Sequence, residues 1–292
     1  MRYREFTDPF LNNQPKFELA PELKTRVHAA ASLWEPRAAC QNEVFVQSAE
    51  LIAEYSDTML ETSYADFKLF LKVQDITGDK YKIITRKAIT GRFESYRITV
   101  TGSSAVVEAG DTEGIRRGLF YLEDEMNRRE GFLPVGTIER TPKIKDRISH
   151  GYFSPKSTAE TDELSGDTDY YPDEYLNRLA HDGINGLWIS VQLRTLVPSE
   201  IIPDYTGDMQ KIKKLNSLIE KCSRYGINIY LEGVEPASTY QNSALFNYPE
   251  ALGATFWGGS GRSLCISTEK GRAYVIECMR NLFTLVPNLG GI

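Results

Sequence analysis

The sequence predicts an α/β chain in two unlike parts, a small α+β unit followed by a partial (β/α)8 barrel of the TIM type. Three observations carry this. Over 292 residues, 41% hydrophobic and 25% charged is the composition of a folded globular protein. At roughly 100 to 200 residues per domain, that length asks for two domains. Near Pro142 the hydrophobic pattern also changes, from short extended runs beside one helix to a regular alternation of strand and helix. The expected division is an N-terminal arm over 1–40, an α+β accessory domain over 41–140, and the first half of a barrel over 141–292.

Taken in order, the arm holds Pro9, Pro15, Pro21 and Pro36 among polar and aromatic residues, a pattern for a wrapping segment. From Ser48 the spacing of Leu51, Ile52, Tyr55 and Met59 predicts a helix. Beyond Gly78 the runs 81–87, 93–100 and 105–109 are β-branched or aromatic and separated by turn residues, so they predict three strands. Asp111 is placed to cap a helix whose apolar stripe is Ile115, Leu119, Leu122 and Met126, with Gly131 just past its end.

The second part begins with a strand over 147–153. A helix follows with Pro172 at its start, carrying Tyr175, Leu176, Leu179 and Ala180, and Gly183 ends it. Residues 184–191 make the next strand. Asp208 opens a helix with Ile212, Leu215, Ile219 and Cys222 inward, closed by Gly226, and 227–234 is the third strand. After an aromatic and glycine-rich connection, Ser267 or Thr268 caps a helix bearing Val275, Met279, Leu282, Phe283 and Val286. The last residues, Asn288 to Ile292, look like the start of a fourth strand. A doubly wound dinucleotide fold is the competing architecture. The loop after Phe153 reads SPKST and lacks the glycine pattern that brings backbone amides to a pyrophosphate, so the barrel is favoured. Three units and a fragment fall short of the roughly 250 residues of a whole barrel, so the chain reads as truncated within it.

With Lys+Arg 34 against Asp+Glu 40, the net charge of −6 excludes a nucleic-acid-binding composition. No apolar run approaches a membrane span and the N-terminus has no signal-peptide core, so a cytoplasmic location is expected. The four cysteines, Cys40, Cys222, Cys265 and Cys278, show no paired spacing and read as buried free thiols. With three histidines, a metal site is not expected and no cofactor is implied; His28 and His181 fall on helical patterns and receive no chemical role.

In a β/α barrel the reactive residues sit where strands end, which singles out Arg147, His150, Trp188 and Glu232 as candidate substrate contacts. Tyr152, Phe153, Ser190, Gln192 and Glu235 fall on the same ends. Glu232 and Glu235 lie beside an aromatic segment with Tyr240, Phe256 and Trp257, and carboxylates flanked by aromatic faces suit a sugar ring. The alternative for Glu232 is a pairing with a nearby Arg or Lys, and for Glu235 a turn cap before Pro236. Arg147 suits vicinal hydroxyls or a sugar carboxylate, or else a surface position near Asp146. Three positions apart, Arg147 and His150 cannot both face a barrel lumen. Trp188 reads as barrel packing or as a stacking platform.

Several segments resemble known glycoside hydrolases. DEYLNRLAHDGINGLWIS at 173–190, GINIYLEGVEP at 226–236 and RNLFTLVPNLGGI at 280–292 resemble consecutive barrel segments of the microbial α-glucuronidases. VVEAGDTEGIRRGLFYLEDEM at 106–126 resembles the small α+β domain that precedes the barrel in those enzymes and in the β-N-acetylhexosaminidases. IKDRISHGYF at 144–153 is similar to the first barrel strand of the hexosaminidases, which implies a sugar-binding role for Arg147. The resemblance covers residues 95–292 in patches. It departs at Ile189-Ser190, where the α-glucuronidases carry an asparagine pair, and at Trp188-Ile189-Ser190, where the hexosaminidases carry a His-Trp-His run. In both families the general acid ends strand four, which here lies beyond Ile292.

The resemblance therefore implies the N-terminal portion of a glycosidase acting on an oligosaccharide or glycoside, inactive by itself. The alternative is a non-catalytic carbohydrate-binding or interaction protein whose open half-barrel forms a homodimer. A third reading is a barrel enzyme of small-metabolite chemistry. No nucleic-acid or membrane partner is expected.

Overall fold

The computed structural model describes residues 20–89, 91–150, 162–165, 167–233, 239–240, 244–256 and 261–292. The first half runs β1 (Glu43–Phe45), β2 (Ala49–Ala53), α1 (Glu61–Val73), β3 (Tyr81–Lys87), β4 (Tyr96–Val100), β5 (Ser104–Ala109), α2 (Thr112–Arg128), β6 (Phe132–Pro134) and β7 (Gly136–Arg140). The second runs β8 (Ile148–His150), α3 (Asp173–His181), β9 (Gly186–Val191), α4 (Leu193–Leu196), α5 (Met209–Ser223), β10 (Asn228–Gly233), β11 (Thr239–Tyr240), β12 (Leu252–Phe256), β13 (Gly261–Leu264) and α6 (Glu269–Leu285).

Five strands of the first half form one mixed sheet in the order β2-β3-β5-β4-β7, and β1 pairs antiparallel with β6 outside it. Helices α1 and α2 cover this sheet, burying Phe67, Phe70, Ile115, Leu119 and Met126 against Ile83, Ile98 and Val107. The Asp111 carboxylate accepts from the Gly114 amide at 2.7 Å, so α2 starts where its cap residue directs. A Cβ at Gly118 would collide with the Val107 side chain, and this close approach seats α2 on β5.

Residues 49–53 differ from expectation. The spacing of Leu51, Ile52, Tyr55 and Met59 predicts a helix, yet this stretch is the parallel strand β2, in register with β3 from Ala49 opposite Tyr81. A helical period can be read from so few positions, but the ladder to β3 satisfies the backbone and buries Ala49 completely. Ser48 turns the chain at φ 54, and the helix itself begins at Glu61.

In the second half, β8, β9 and β10 are parallel neighbours in chain order. Gly291 bridges Tyr230 on the free side of β10, and the Gly290 amide donates to the Ile229 carbonyl, so the next extended segment continues in the same direction. Asp208 accepts from the amides of Gln210 and Lys211 to start α5, and Thr268 accepts from Gly271 to start α6. Gly183 at φ 81 and Gly226 at φ 72 end α3 and α5 in the left-handed conformation that glycine adopts without strain. Leu187, Ile189, Val191, Ile229 and Leu231 point one way into a core with the helices. Alternation sends His150, Trp188, Tyr230, Ser190 and Glu232 to the opposite face, where Trp188 stays 40% exposed.

Three smaller expectations are corrected. Cys40 is exposed, while Cys222 and Cys278 are buried thiols and Cys265 is intermediate. On α6 the inward stripe is Tyr274, Cys278 and Leu282, continued by buried Val286 just past its end, with Phe283 at 43% exposure. The connection after β10 contains the antiparallel strands β11, β13 and β12, which pair with one another.

Residues 20–40 bind across both halves. Arg178 donates to the Thr25 carbonyl at 2.9 Å and the Val27 amide to Asn177 at 3.1 Å. The Trp34 indole N–H donates to Asn127 at 3.3 Å.

Candidate functional site

The two ends of the parallel sheet have different neighbours. At the amino ends lie the turns that follow α3 and α5, and the first half docks there. Arg117 donates to the carbonyl of Ala180, Thr62 to that of Arg224, and Arg147 to that of Gly183. Glu113 packs so closely on Gly226 that a Cβ there would collide with its carboxylate. The carboxyl ends are left to other chemistry.

At those carboxyl ends, the register sets His150 opposite Trp188, and Glu232 opposite Ser190. The Ser190 hydroxyl donates to Glu232 Oε2 at 2.5 Å, and His150 Nε2 lies 3.5 Å from the same oxygen. The His150 ring meets Trp188 edge-on, with centroids 4.9 Å apart. This is a half-exposed carboxylate held by a hydroxyl and an imidazole beside an indole face. Such a set can accept hydrogen bonds from vicinal hydroxyls while the ring covers an apolar surface.

Of the four candidate contacts, the structure brings His150, Trp188 and Glu232 together and leaves Arg147 apart. Arg147 precedes β8 at the amino end, where its Nη2 meets both oxygens of Glu94 at 2.6 and 2.8 Å and its Nη1 donates to the Ile144 carbonyl at 2.7 Å. Its guanidinium is occupied in joining the two halves. Gln192 is buried where α4 begins. Tyr152, Phe153, Glu235 and Trp257 lie outside the described residues.

Two buried titratable groups were not legible in the sequence. One is Glu163, which is 3% exposed, accepts from the Tyr171 hydroxyl at 2.5 Å and has the Ser190 amide nearby. Burial raises its pKa to about 7. Its folded-state pKa thus lies above the ordinary carboxyl value, so the protein holds an extra proton that the unfolded chain releases. The resulting stability is complete below about pH 4 and is lost as pH rises through 7. Glu163→Gln is therefore expected to be near neutral at pH 5 and to gain about 2 kcal/mol relative to wild type at pH 8, measured by urea unfolding. An equal effect at both pH values would show that burial of the charge is not what Glu163 costs.

The other group is a buried cluster of His28, Asp66, Glu123 and His181. His28 sits in a turn of the arm, Asp66 on α1, Glu123 on α2, and His181 at the end of α3. The sequence assigns neither histidine a chemical role, and in the fold the two meet two carboxylates from segments remote in sequence. His181 Nε2 lies 2.6 Å from Asp66 Oδ2, and His28 Nε2 lies 3.0 Å from Glu123 Oε2. Burial lowers the His28 pKa and raises that of Glu123 well above the usual carboxylate range. No spacing in the sequence marks these residues as partners.

No protein-family model matches the chain, and no curated protein does. Its fold is similar to those of solved glycoside hydrolases. A family 138 enzyme targeting pectin rhamnogalacturonan II aligns at TM-score 0.58 and 15% identity, over 83% of this chain and 30% of that one. The chitobiase of Flavobacterium johnsoniae, of family 20, aligns at 0.56 and 16%, over 87% and 42%. The family 20 β-N-acetylhexosaminidase of Streptomyces coelicolor aligns at 0.53 and 16%, over 91% and 58%. The chain thus spans between 30% and 58% of the length of these structures.

Proposed function

We propose that this chain is the N-terminal portion of a glycoside hydrolase, an accessory α+β domain followed by the first staves of a (β/α)8 barrel that grips a sugar at its carboxyl rim. The observation that carries this reading is the one-sided sheet. Parallel strands β8, β9 and β10 advance in chain order, helices cover one face, and the other face gathers His150, Trp188, Ser190 and Glu232 at the strand ends. A doubly wound sheet would reverse its strand order and carry helices on both faces. The similarity to family 20 and family 138 structures supports the same architecture.

In this reading Glu232 accepts hydrogen bonds from sugar hydroxyls, held in place by Ser190 and His150, and Trp188 lies against the ring. Cleavage needs a general acid, and we assign it to sequence beyond Ile292, at the end of the fourth strand. An N-acetylhexosaminide is the favoured substrate, and an α-glucuronide is the alternative.

The test is a pair of measurements on the 292-residue chain and on one extended by the downstream sequence. Aryl N-acetylglucosaminides and glucuronides should be hydrolysed by the longer chain only. Turnover by residues 1–292 alone would remove the missing-acid assignment. Glu232→Gln should weaken binding of N-acetylglucosamine about tenfold, read by calorimetry, with stability changed by no more than about 0.5 kcal/mol. Undiminished binding would sink the rim assignment. A tight dimer of the 292-residue chain that binds sugar, with no hydrolysis from the longer chain, would favour the non-catalytic reading.

A further inference from the structure

The cluster of His28, Asp66, Glu123 and His181 lies at the amino end of the parallel sheet, away from the sugar-binding rim, and nothing in the proposed glycosidase chemistry uses it. Asp66 is 1% exposed and Glu123 is fully buried, and among the described residues no Lys or Arg lies within salt-bridge distance of either. One oxygen of each carboxylate, Asp66 Oδ1 and Glu123 Oε1, is buried without a hydrogen-bond partner. Buried carboxylates are otherwise paired, neutralised or bound to a metal, because an isolated charge in a low-dielectric interior is costly. A divalent cation would balance that charge.

The geometry fits a small tetrahedral ion. One donor atom from each of the four residues falls within 4.8 Å of all the others. His181 Nε2 lies 2.6 Å from Asp66 Oδ2, His28 Nε2 lies 3.0 Å from Glu123 Oε2 and 3.8 Å from Asp66 Oδ2, and His181 reaches Glu123 through its other nitrogen at 3.7 Å, so with one donor per residue the separations run from 2.6 Å to at most 4.8 Å. Donors about 2.0–2.1 Å from a tetrahedral zinc ion lie about 3.3 Å apart, inside that range. The rings are also held in place: His181 stacks on Phe120 at 3.9 Å, and His28 lies 5.0 Å from Phe70. His181 also lines the cleft between the two halves, together with Asp124 and Arg117, which provides access for an ion.

We propose that His28, Asp66, Glu123 and His181 form a closed, four-coordinate structural site for zinc that fastens the arm, α1, α2 and α3 to one another at the junction of the two halves. Two imidazoles and two carboxylates are borderline and hard donors suited to zinc, and four protein ligands leave no open position for catalysis. The site stands or falls independently of the sugar-binding reading.

The test uses the whole 292-residue chain, stripped with a chelator and dialysed against zinc. About one zinc per chain should be retained by elemental analysis, with a rise of several degrees in the unfolding midpoint. Cobalt substituted for zinc should show the visible bands of a four-coordinate ion without a thiolate charge-transfer band, which excludes binding through the exposed Cys40. Asp66→Asn and Glu123→Gln keep side-chain volume and remove an anionic ligand, and each should lower zinc affinity at least tenfold. His150→Gln, at the other end of the sheet, should leave stoichiometry unchanged. If the wild-type chain retains no zinc, the four groups form a proton-sharing network and the proposal is overturned. It is equally overturned if both carboxylate variants hold zinc undiminished, or if cobalt reports six-coordination or thiolate ligation. A variant that fails to fold leaves the wild-type stoichiometry and cobalt spectrum to decide.

Discussion

Arg147→Ala is expected to lower the free energy of unfolding by about 3 kcal/mol and to leave sugar affinity of the folded protein unchanged. The reason is Glu94, whose side chain is 1% exposed and which Arg147 engages through two hydrogen bonds. Removing the arginine strands a buried carboxylate. Arg117, 3.6 Å from the same group, and the Asn185 amide at 3.3 Å soften the loss, which places it at the lower end for broken buried pairs. The variant also loses the donors that Arg147 directs to the carbonyls of Gly183 and Ile144. Urea unfolding with an unchanged slope measures the effect. The double variant Glu94→Gln, Arg147→Met should recover more than half of the loss, since it removes the orphaned charge. A loss under about 1 kcal/mol combined with abolished sugar binding would return Arg147 to the ligand site.

A second large effect is expected at Arg116, a fully buried arginine. Its Nε meets the Glu113 oxygens at 3.0 and 3.3 Å, its Nη1 donates to Ser63 at 2.6 Å and Thr62 at 3.2 Å, and its Nη2 donates to the Met59 carbonyl at 2.5 Å. One side chain thus ties α2 to the start of α1. Arg116→Ala leaves a cavity, an unpaired Glu113 and several buried acceptors, and should cost about 4 kcal/mol. Arg116→Lys keeps the charge but loses the planar fork, and about half of that cost should remain. Thermal and urea unfolding should rank wild type above Lys above Ala; Ala within about 1 kcal/mol of wild type would refute the account.

Much of the fold is legible in the order of the residues. Strands β3 and β5, and the caps Asp111, Asp208 and Thr268, match their sequence signals, because a cap acts on amides two or three residues away and alternation acts over five to seven. His150, Trp188 and Glu232 could be singled out together because strand ends in a parallel sheet converge. Strand β7, nearly all exposed, carried no pattern to read. The stretch at 49–53 misled because its identity as a strand depends on pairing with β3, about thirty residues on. The pairing of Arg147 was illegible for the same kind of reason, since its partner Glu94 belongs to the other half.

By itself, the sequence determined helices α2, α3, α5 and α6, strands β3, β4, β5, β8, β9 and β10, the caps Asp111, Asp208 and Thr268, and the alternation that sends Trp188 and Glu232 to one face and Ile189 and Leu231 to the other. Those signals act through hydrogen bonds and periodicity within a few residues. Only the tertiary structure decided that Arg147 serves the junction and that His28, Asp66, Glu123 and His181 meet in one buried place. Charge compensation depends on which groups the folded chain removes from water together, and residues far apart in sequence carry no local mark of that meeting.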